Sequence, residues 1–568
     1  MLICEFIKLI PEVRRKKGIG IIFSAILQVL LNMAGLTVLI PIIILVFDPD
    51  KLALYPLFAD HRSLILVAIV CFISLKNILN VWLSNIQIRY INSLYKYYSQ
   101  TLFENYYCQG LLFVKNRHSD DLAYNINAVS YLFTHGVLSL TLSVIAEAGL
   151  ILCIWCGIFW FSPIIAFCIV ASFLPFSLIY FYFVRKKLKT YGEKEDNAKR
   201  HIMTLVGDTF RGYPDVKLND AYRWFQKRFD TNVSEISNSR EKITKAFHIP
   251  QGIIECYVVV GMILFVVIAG YNSEAKVALG ILAVAILRIL PSLRSLITMV
   301  IQWKNNAFTL DIIKDIHLQS NEIEDKELTI HFKRQIIIDN VSFSYLGNDK
   351  HILKNFTLHI NKGECIGIKG ISGVGKTTLF NMLLGFYKPT QGKILVDNIP
   401  LDESTCSTWQ KLIAYVPQDI FIMDATLAEN IAFGAEEINS ERMMEVIEKS
   451  GLKKLVSSLP YGLETRIGQD GCFLSGGERQ RVGIARALYK KAEIFLFDEI
   501  TSSLDPKTEK DIMDTIYKLS EKLNNLTVVI ISHKESALYL CNRILKINKN
   551  FYDTKVSLNR KKRIHQNY

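Results

Sequence analysis

A glycine-rich segment in the second half of the chain carries the residue types that hold a nucleoside triphosphate. Glycines allow consecutive backbone N–H groups to curve around phosphate oxygens, a lysine brings positive charge to the outer phosphates, and a threonine hydroxyl can ligate Mg²⁺. A strand-like run precedes the segment and a helix-like run follows it, as a phosphate-binding loop requires. The segment reads Gly370, Ile371, Ser372, Gly373, Val374, Gly375, Lys376, Thr377 and Thr378.

Two carboxylates, Asp498 and Glu499, directly follow the apolar run Ile494 to Phe497. The first suits the coordination shell of a Mg²⁺ ion, and the second suits a general base that orients an attacking water. Many strands end in acidic residues, so the pair is weak on its own. Together with the phosphate loop it predicts phosphoryl transfer.

A third segment lies between these two and opens a helix-like run that continues to about Leu488. Small residues at a helix N-terminus expose backbone N–H groups and the positive end of the helix dipole, which together attract an anion. Its position between the phosphate loop and the carboxylates indicates a nucleotide-binding domain. Its residues are Leu474, Ser475, Gly476, Gly477, Glu478, Arg479 and Gln480.

The elements that must position these residues differ between the two halves of the chain. From about Leu328 short strand-like and helix-like runs alternate, which is typical of a soluble α/β domain. The first 310 residues are dominated by apolar runs long enough for a bilayer core, which a helix crosses with about 20 residues. Six membrane spans are predicted, at 18–47, 64–86, 137–161, 164–184, 253–269 and 277–299.

The charge follows this division. The chain has 66 basic and 53 acidic side chains, a formal net charge of +13. Basic residues precede the first span and fill the long connections after the second and fourth spans, so the positive-inside rule predicts cytoplasmic termini and long connections. Topology and contact with anionic lipid account for much of the charge, and no nucleic-acid partner is expected.

Four ionisable residues within the predicted spans are candidates for a functional role, because a charge at that depth costs about 2.5 to 3.5 kcal/mol or more. One interpretation is an internal acid and base pairing that fixes helix packing. The other is a cavity surface that meets a charged head group of the substrate. The four residues are Glu147, Glu255, Arg288 and Arg294.

The three polar segments together resemble the nucleotide-binding domain of ATP-binding cassette (ABC) transporters. Six spans ahead of one such domain resemble an ABC exporter half-transporter, so the resemblance covers nearly the whole chain. It implies a polytopic α-helical membrane domain fused to an α/β P-loop ATPase domain. The implied boundaries are an interfacial segment at 1–17, a transmembrane domain at 18–310, a linker at 311–327 and an ATP-binding domain at 328–568.

The resemblance also implies roles for individual residues. Tyr345 is similar to the aromatic residue that stacks on adenine, Gln418 to the glutamine that senses Mg²⁺ and water, and His533 to the switch histidine at the γ-phosphate. The implied catalytic residues are Glu499, His533 and Lys376, and the implied Mg²⁺ ligands are Thr377, Gln418 and Asp498. The implied ATP site comprises Tyr345, Gly370, Ser372, Gly373, Val374, Gly375, Lys376, Thr377, Thr378 and Gln418. The residues implied to complete a partner's site are Ser475, Gly476, Gly477 and Glu478.

Other segments bear on coupling and cargo. Residues 112–124 and 208–222 resemble the cytoplasmic coupling helices of exporters, and 502–505 resemble the loop that crosses the dimer interface. Residues 469–470 read Gln-Asp where the family usually has an acidic residue first, which is a departure in a coupling loop. Residues 287–294 resemble part of the last span of bacterial lipid-linked oligosaccharide flippases.

The predicted function is therefore that of an ATP-hydrolysing exporter or flippase in the bacterial inner membrane, with ATP and Mg²⁺ as cofactors. Its expected substrate is amphipathic, a lipid or a lipid-linked oligosaccharide, moved by alternating access. The resemblance implies a second half-transporter as partner, and the intact Lys376, Ser475, Glu499 and His533 favour a homodimer. A multidrug or peptide exporter is the alternative. A non-transport ABC ATPase is a more distant one, which the six apolar runs disfavour.

Overall fold

A computed structural model gives the chain as two compact units, Met1–Glu322 and Ile323–Tyr568. The structure describes residues 10–38, 62–161, 163–269, 289, 291–319, 328–345, 351–468, 471, 473–500, 504–522, 526–539, 541–547 and 556–557.

The described part of the first unit is helical. Helix α1 packs against α2 and α6, and α7 packs along α9. The helices are α1 Glu12–Thr37, α2 Arg62–Cys108, α3 Gly110–Lys115, α4 Ser119–Tyr124, α5 Ser130–Phe133, α6 Leu140–Phe161, α7 Pro163–Arg211, α8 Tyr213–Leu218, α9 Tyr222–Ala269, α10 at 291–305 and α11 Thr309–Gln319.

Within the described residues, three helical stretches are long and apolar enough to cross a membrane. They are Arg14–Gly35, Val67–Cys108 and Ser119–Trp160, and each overlaps one of the first three predicted spans. The fourth and fifth predicted spans lie within α7 and α9. Most of the sixth lies outside the described residues, as do 39–47 of the first span and most of the predicted interfacial segment.

Three of the described helices are much longer than a membrane requires, and the first of them, α2, has 47 residues. Helix α7 has 49 residues and α9 has 48, so each is about 70 Å long at a rise of about 1.5 Å per residue. The short helix α8 joins them inside the predicted coupling segment 208–222. In the other predicted coupling segment, 112–124, α3 overlaps the start and α4 forms the end. Both predicted coupling segments therefore contain a short helix; their coupling role stays a prediction.

A buried polar cluster connects α2, α4 and α7. The carboxylate of Asp196 accepts hydrogen bonds from Tyr124 Oη at 2.6 Å and Arg200 Nε at 2.8 Å. The same guanidinium donates to Asn125 Oδ1 at 2.7 Å, and the Asn125 amide donates to Tyr106 Oη at 3.0 Å. Because buried polar groups are costly unless they are paired, this cluster fixes one packing of the three helices.

The second unit is an α/β domain with two sheets. A four-stranded antiparallel sheet has the order β2-β1-β4-β5, and a six-stranded sheet has the order β10-β9-β3-β8-β7-β6. The strands are β1 Gln335–Phe343, β2 Leu353–Asn361, β3 Cys365–Gly370, β4 Gln391–Val396, β5 Ile399–Pro400, β6 Ile413–Val416, β7 Ile494–Asp498, β8 Thr527–Ile531, β9 Arg543–Ile547 and β10 Val556–Ser557. The helices are α12 Lys376–Leu383, α13 Glu403–Leu412, α14 Leu427–Ile431, α15 Ser440–Ser450, α16 Lys453–Ser458, α17 Gly476–Tyr489, α18 Pro506–Lys522 and α19 Glu535–Leu538.

The parallel arrangement of the larger sheet positions the site. Strands β7 and β8 are buried at every residue, and such continuous apolar runs are typical of parallel strands covered on both faces. Strand β3 pairs in parallel with β8, and β8 with β7. Because the carboxyl ends of parallel strands share one edge, the segments after β3, β7 and β8 meet there.

Candidate functional site

The phosphate loop lies between β3 and α12, as its sequence predicts. Gly373 and Gly375 adopt positive φ angles of 78° and 101°, a conformation that residues with a side chain rarely adopt. Gly375 is also the residue before the first turn of α12. Ser372 and Gly373 are exposed, whereas Val374 is buried. The loop therefore presents backbone N–H groups and a helix N-terminus at the sheet edge.

Lys376 connects the loop to the neighbouring strand ends. Its ammonium donates to Gly370 O at 2.7 Å and Ile371 O at 3.4 Å. The Nζ atom also lies 2.8 Å from His533 Nε2 and 3.5 Å from Glu499 Oε1. A lysine that is only 6% exposed thus contacts both other predicted catalytic residues.

Glu499 and His533 are in direct contact. Glu499 Oε1 lies 2.9 Å from His533 Nε2, and the glutamate backbone has a φ of 49°. A non-glycine residue in that region is held there by its surroundings, and such strain clusters at functional sites. One ring nitrogen cannot accept from the lysine and donate to the glutamate at once. Lys376 and Glu499 therefore compete for a hydrogen bond with His533 Nε2.

Asp498 is a buried carboxyl with oxygen donors around it. Tyr415 Oη donates to Asp498 Oδ2 at 3.2 Å, and the Thr377 hydroxyl also hydrogen-bonds to this carboxyl. Burial raises the pKa of Asp498; the Tyr415 hydrogen bond lowers that pKa and the Glu499 charge raises it. A cation would favour the charged form of the carboxyl. This oxygen set fits a hard ion such as Mg²⁺.

Two predicted contributors lie beside this centre. Tyr345 Oη lies 3.2 Å from Thr378 Oγ1, and its ring meets Phe343 and Tyr387 edge to face. These contacts fix an aromatic ring beside the end of the phosphate loop. Gln418 is exposed after β6, and its backbone oxygen accepts from Gln480 Nε2 at 3.0 Å.

The segment at 475–478 caps α17. The Ser475 hydroxyl accepts from the Glu478 backbone N–H at 3.3 Å, and the Glu478 carboxylate accepts from the Ser475 N–H at 2.8 Å. This reciprocal pair is a capping box. A Cβ on Gly477 would lie 2.5 Å from Thr508 Cγ2, so that position excludes a side chain. Among the described residues, no hydrogen bond joins this segment to the phosphate loop of the same chain.

The sequence predicted a helix start at the 475–478 segment but gave no role to Tyr415 in the site. The spacing of Ser475 and Glu478 is the signature of a capping box, so the sequence contained that signal. Tyr415 had no comparable signal, because its contact with Asp498 arises only from the pairing of β6 with β7.

The segments that resemble the coupling loop and the dimer-interface loop lie largely outside the described residues. Residues 469–470 and 501–503 lie outside the described residues. Asp505 accepts from the Thr508 backbone N–H at 3.0 Å and so caps α18. Lys534 donates to Glu509 Oε2 at 2.7 Å, an ion pair that ties the start of α19 to α18.

Among the described charges in the predicted spans, two are paired directly. Arg294 of α10 forms an ion pair with Glu255 of α9. Glu147 Oε2 and Arg294 Nε are buried atoms without a hydrogen-bond partner in the described part of the chain. Arg288 lies outside it. The observed contact favours the internal pairing, and the head-group interpretation stays open for the partly exposed Arg294.

We expect charge reversal to separate the two interpretations. Arg294→Glu places two acids together, so we expect it to lower folded yield and transport by at least about tenfold, since an unpaired charge at this depth costs roughly 2.5 to 3.5 kcal/mol. The double variant Arg294→Glu, Glu255→Arg restores the pair and should recover both. Yield in detergent and transport in liposomes are the measurements. Recovery of yield without recovery of transport would support a head-group contact.

Comparisons with known proteins agree with this architecture. Residues 353–502 match the family described as ABC transporter. A solved structure of a bacterial Atm1-family ABC exporter with ATP bound superposes with a TM-score of 0.78 at 22% identity and covers 94% of each chain. At that identity the likeness concerns the fold. The predicted fold class, a helical membrane region fused to a nucleotide-binding domain, is confirmed.

Curated relatives have diverse names. An ATP-dependent lipid A-core flippase of Ralstonia nicotianae is 28% identical over 387 residues, which cover 66% of this chain and 64% of the relative. The mitochondrial iron-sulfur clusters transporter ATM1 of Debaryomyces hansenii is 29% identical over 375 residues, 63% of this chain and 53% of the relative. The matched region thus spans less than two thirds of each relative.

Proposed function

We propose that this chain is one half of an ATP-driven exporter. Residues 353–502 match the ABC transporter family, and they follow a helical membrane region in a chain with the fold of a solved exporter. The observation that carries the proposal is the convergence of Lys376, Glu499 and His533 at one sheet edge. Their side chains lie within 3.5 Å of one another. The same chain contains three described stretches suited to a membrane.

The site residues divide the work of hydrolysis. The phosphate-loop N–H groups and Lys376 would bind the β- and γ-phosphates, and Glu499 would orient the attacking water and accept its proton. His533 would contact the γ-phosphate and hold the glutamate. Thr377 and Asp498 would hold Mg²⁺, which supplies charge neutralisation at the phosphates, with Gln418 as a further ligand. Tyr345 would stack on adenine.

We propose a homodimer as the working unit. The 475–478 segment forms no hydrogen bond with its own phosphate loop among the described residues, which suits a role in a partner's site. The α17 N-terminus would then present N–H groups to the partner's γ-phosphate. Because Lys376, Ser475, Glu499 and His533 are all present in one chain, two copies could form two complete sites.

The basic connections support a chain in the bacterial inner membrane with its nucleotide-binding domain and both termini in the cytoplasm. The proposed cargo is an amphipathic lipid or lipid-linked oligosaccharide. The name of the Ralstonia relative, a lipid A-core flippase, supports a lipid cargo. The name of the ATM1 relative refers to a different cargo, so the substrate requires a direct test.

The test is transport by the purified full chain in liposomes. We expect ATP-dependent flipping of polyprenyl-linked glycans or glycolipids, and stimulation of hydrolysis by the same compounds, without either effect for drugs or peptides. A Glu499→Gln variant in matched liposomes controls for leakage. Transport of drugs or peptides alone would favour the multidrug or peptide exporter. Hydrolysis without transport of any compound in the panel would contradict the proposal.

A further inference from the structure

An aromatic cluster lies where α2 and the stretch from α4 to α6 extend beyond their predicted spans. We call it the aromatic platform, and it consists of Tyr95, Tyr131, His135 and Asn92. The Tyr131 and His135 rings stack at 4.2 Å with an interplanar angle of 17°. The Tyr95 ring meets both edge to face, at 6.0 Å and 6.4 Å.

Hydrogen bonds fix the platform while its outer surface remains open. His135 Nε2 lies 3.1 Å from Asn92 Oδ1, and His135 Nδ1 lies 3.1 Å from the Thr134 hydroxyl. Tyr131 is nevertheless 52% exposed, and Asn92 is exposed as well. A fixed, half-exposed ring beside an exposed amide is thus accessible to a ligand.

The helix that carries Tyr131 has unusual turns on both sides of it. Helix α5 lies between π-helical segments at Asn125–Val129 and Thr134–Ser139. Such segments are rare and occur frequently at functional sites. The second segment contains His135, so the stacked pair stands at the boundary between α-helical and π-helical turns.

Two cations flank the platform. Arg89 and Lys96 are exposed, and with Asn92 they follow the i, i+3, i+7 spacing of one face of α2. Asn92 and Tyr131 each lie about 9 Å beyond the predicted spans ending at Ile86 and beginning at Val137, at about 1.5 Å per residue. One head-group layer is about 5 to 8 Å thick, so both residues are expected at its outer edge, on the side where these two spans are connected.

We propose that the aromatic platform binds the sugar of a phosphate-linked glycan head group before transport, while Arg89 and Lys96 bind its phosphates. A sugar ring has an apolar C–H face that fits an exposed aromatic ring, and hydroxyls that fit an amide group. Phosphate requires nearby cations. The platform and its two flanking cations supply both chemistries. The alternative role of these rings is to anchor the helix at the membrane interface, and that role requires neither a fixed amide nor paired cations. The proposal rests on the lipid-exporter function above.

The test is binding to the nucleotide-free full chain in phosphatidylcholine nanodiscs. One probe is farnesyl diphosphate carrying an N-acetylglucosamine disaccharide, and the other is farnesyl diphosphate without sugar. We expect Tyr131→Ala to weaken binding of the sugar probe about tenfold and to leave the sugarless probe within about twofold. Tyr131→Phe keeps the stacked ring and should bind both probes like the wild type.

Further variants test the remaining steps. Joint replacement of Arg89 and Lys96 by alanine should weaken both probes about tenfold. Tyr107→Ala, which removes an 81% exposed tyrosine elsewhere on α2, is the matched control and should change neither. An unchanged affinity of Tyr131→Ala for the sugar probe, or an equal loss for both probes, would overturn the proposal.

Failure of this site can be distinguished from failure of the proposed function. ATP hydrolysis by the same preparation is measured separately, because the platform contains none of the nucleotide-site residues. A chain that hydrolyses ATP and flips another lipid without binding the sugar probe contradicts the platform alone. A chain that binds the probe without hydrolysis or transport contradicts the exporter function.

Discussion

Glu499→Gln should retain ATP binding and lower ATP hydrolysis by at least about a hundredfold, since a general base contributes roughly 10²- to 10⁴-fold. The amide has nearly the same size as the carboxylate and can still contact His533, whose Nε2 lies 2.9 Å from Glu499 Oε1. It cannot accept the proton of the attacking water. Phosphate release and equilibrium binding of labelled ATP are the two measurements.

Glu493→Gln is the matched control, because Glu493 directly precedes β7 whereas Glu499 directly follows it. Glu493 accepts from Lys362 Nζ at 2.7 Å at the opposite end of the strand and is partly exposed. An exposed ion pair contributes about 0 to 1 kcal/mol, so hydrolysis should stay near the wild-type rate. A Glu499→Gln variant that hydrolyses ATP like the wild type would show that another group is the base.

The local parts of the nucleotide site could be predicted from the sequence. The phosphate loop and the carboxylates after β7 depend on neighbours in sequence: positive-φ glycines, a helix start and a buried apolar strand. These signals can be recognised in the sequence without knowledge of the tertiary structure. The parallel sheet then brings the ends of β3, β7 and β8 to one edge, as the strand and helix alternation suggests.

Contacts between distant residues could not be predicted in the same way. The approach of Lys376 to His533 spans 157 positions and depends on the pairing of β3 with β8. The capping box of Ser475 and Glu478 was readable, yet the same residues also suggested an anion site. One segment can serve both uses, because a cap leaves the other N–H groups of the first helical turn available.

In the membrane unit, hydropathy located apolar stretches but not the length of the helices that contain them. Helices α7 and α9 continue far beyond their apolar portions, and their polar continuations show no hydropathy signal. The pairing of Arg294 with Glu255 could be anticipated only as one of two alternatives, because depth along a helix does not determine its rotation. The π-helical turns around Tyr131 gave no sequence signal that we could identify.

Lys376→Ala should weaken ATP binding by about a hundredfold, since a charge-assisted hydrogen bond contributes roughly 1.5 to 3 kcal/mol. The ammonium is buried between loop carbonyls and His533, beside the segment that would hold the phosphates. Equilibrium binding of labelled ATP measures the loss. Lys369→Ala is the matched control, because this β3 lysine forms a partly exposed ion pair with Glu535.

Lys376→Arg separates charge from shape at the same position. The guanidinium keeps the positive charge but is planar and forked, whereas the observed pocket accommodates a compact ammonium that donates to two backbone oxygens of the loop. We therefore expect Lys376→Arg to lose most of the ATP affinity that Lys376→Ala loses. Wild-type affinity in Lys376→Arg would mean that charge alone suffices, and that the geometry around Gly370 and His533 does not select lysine.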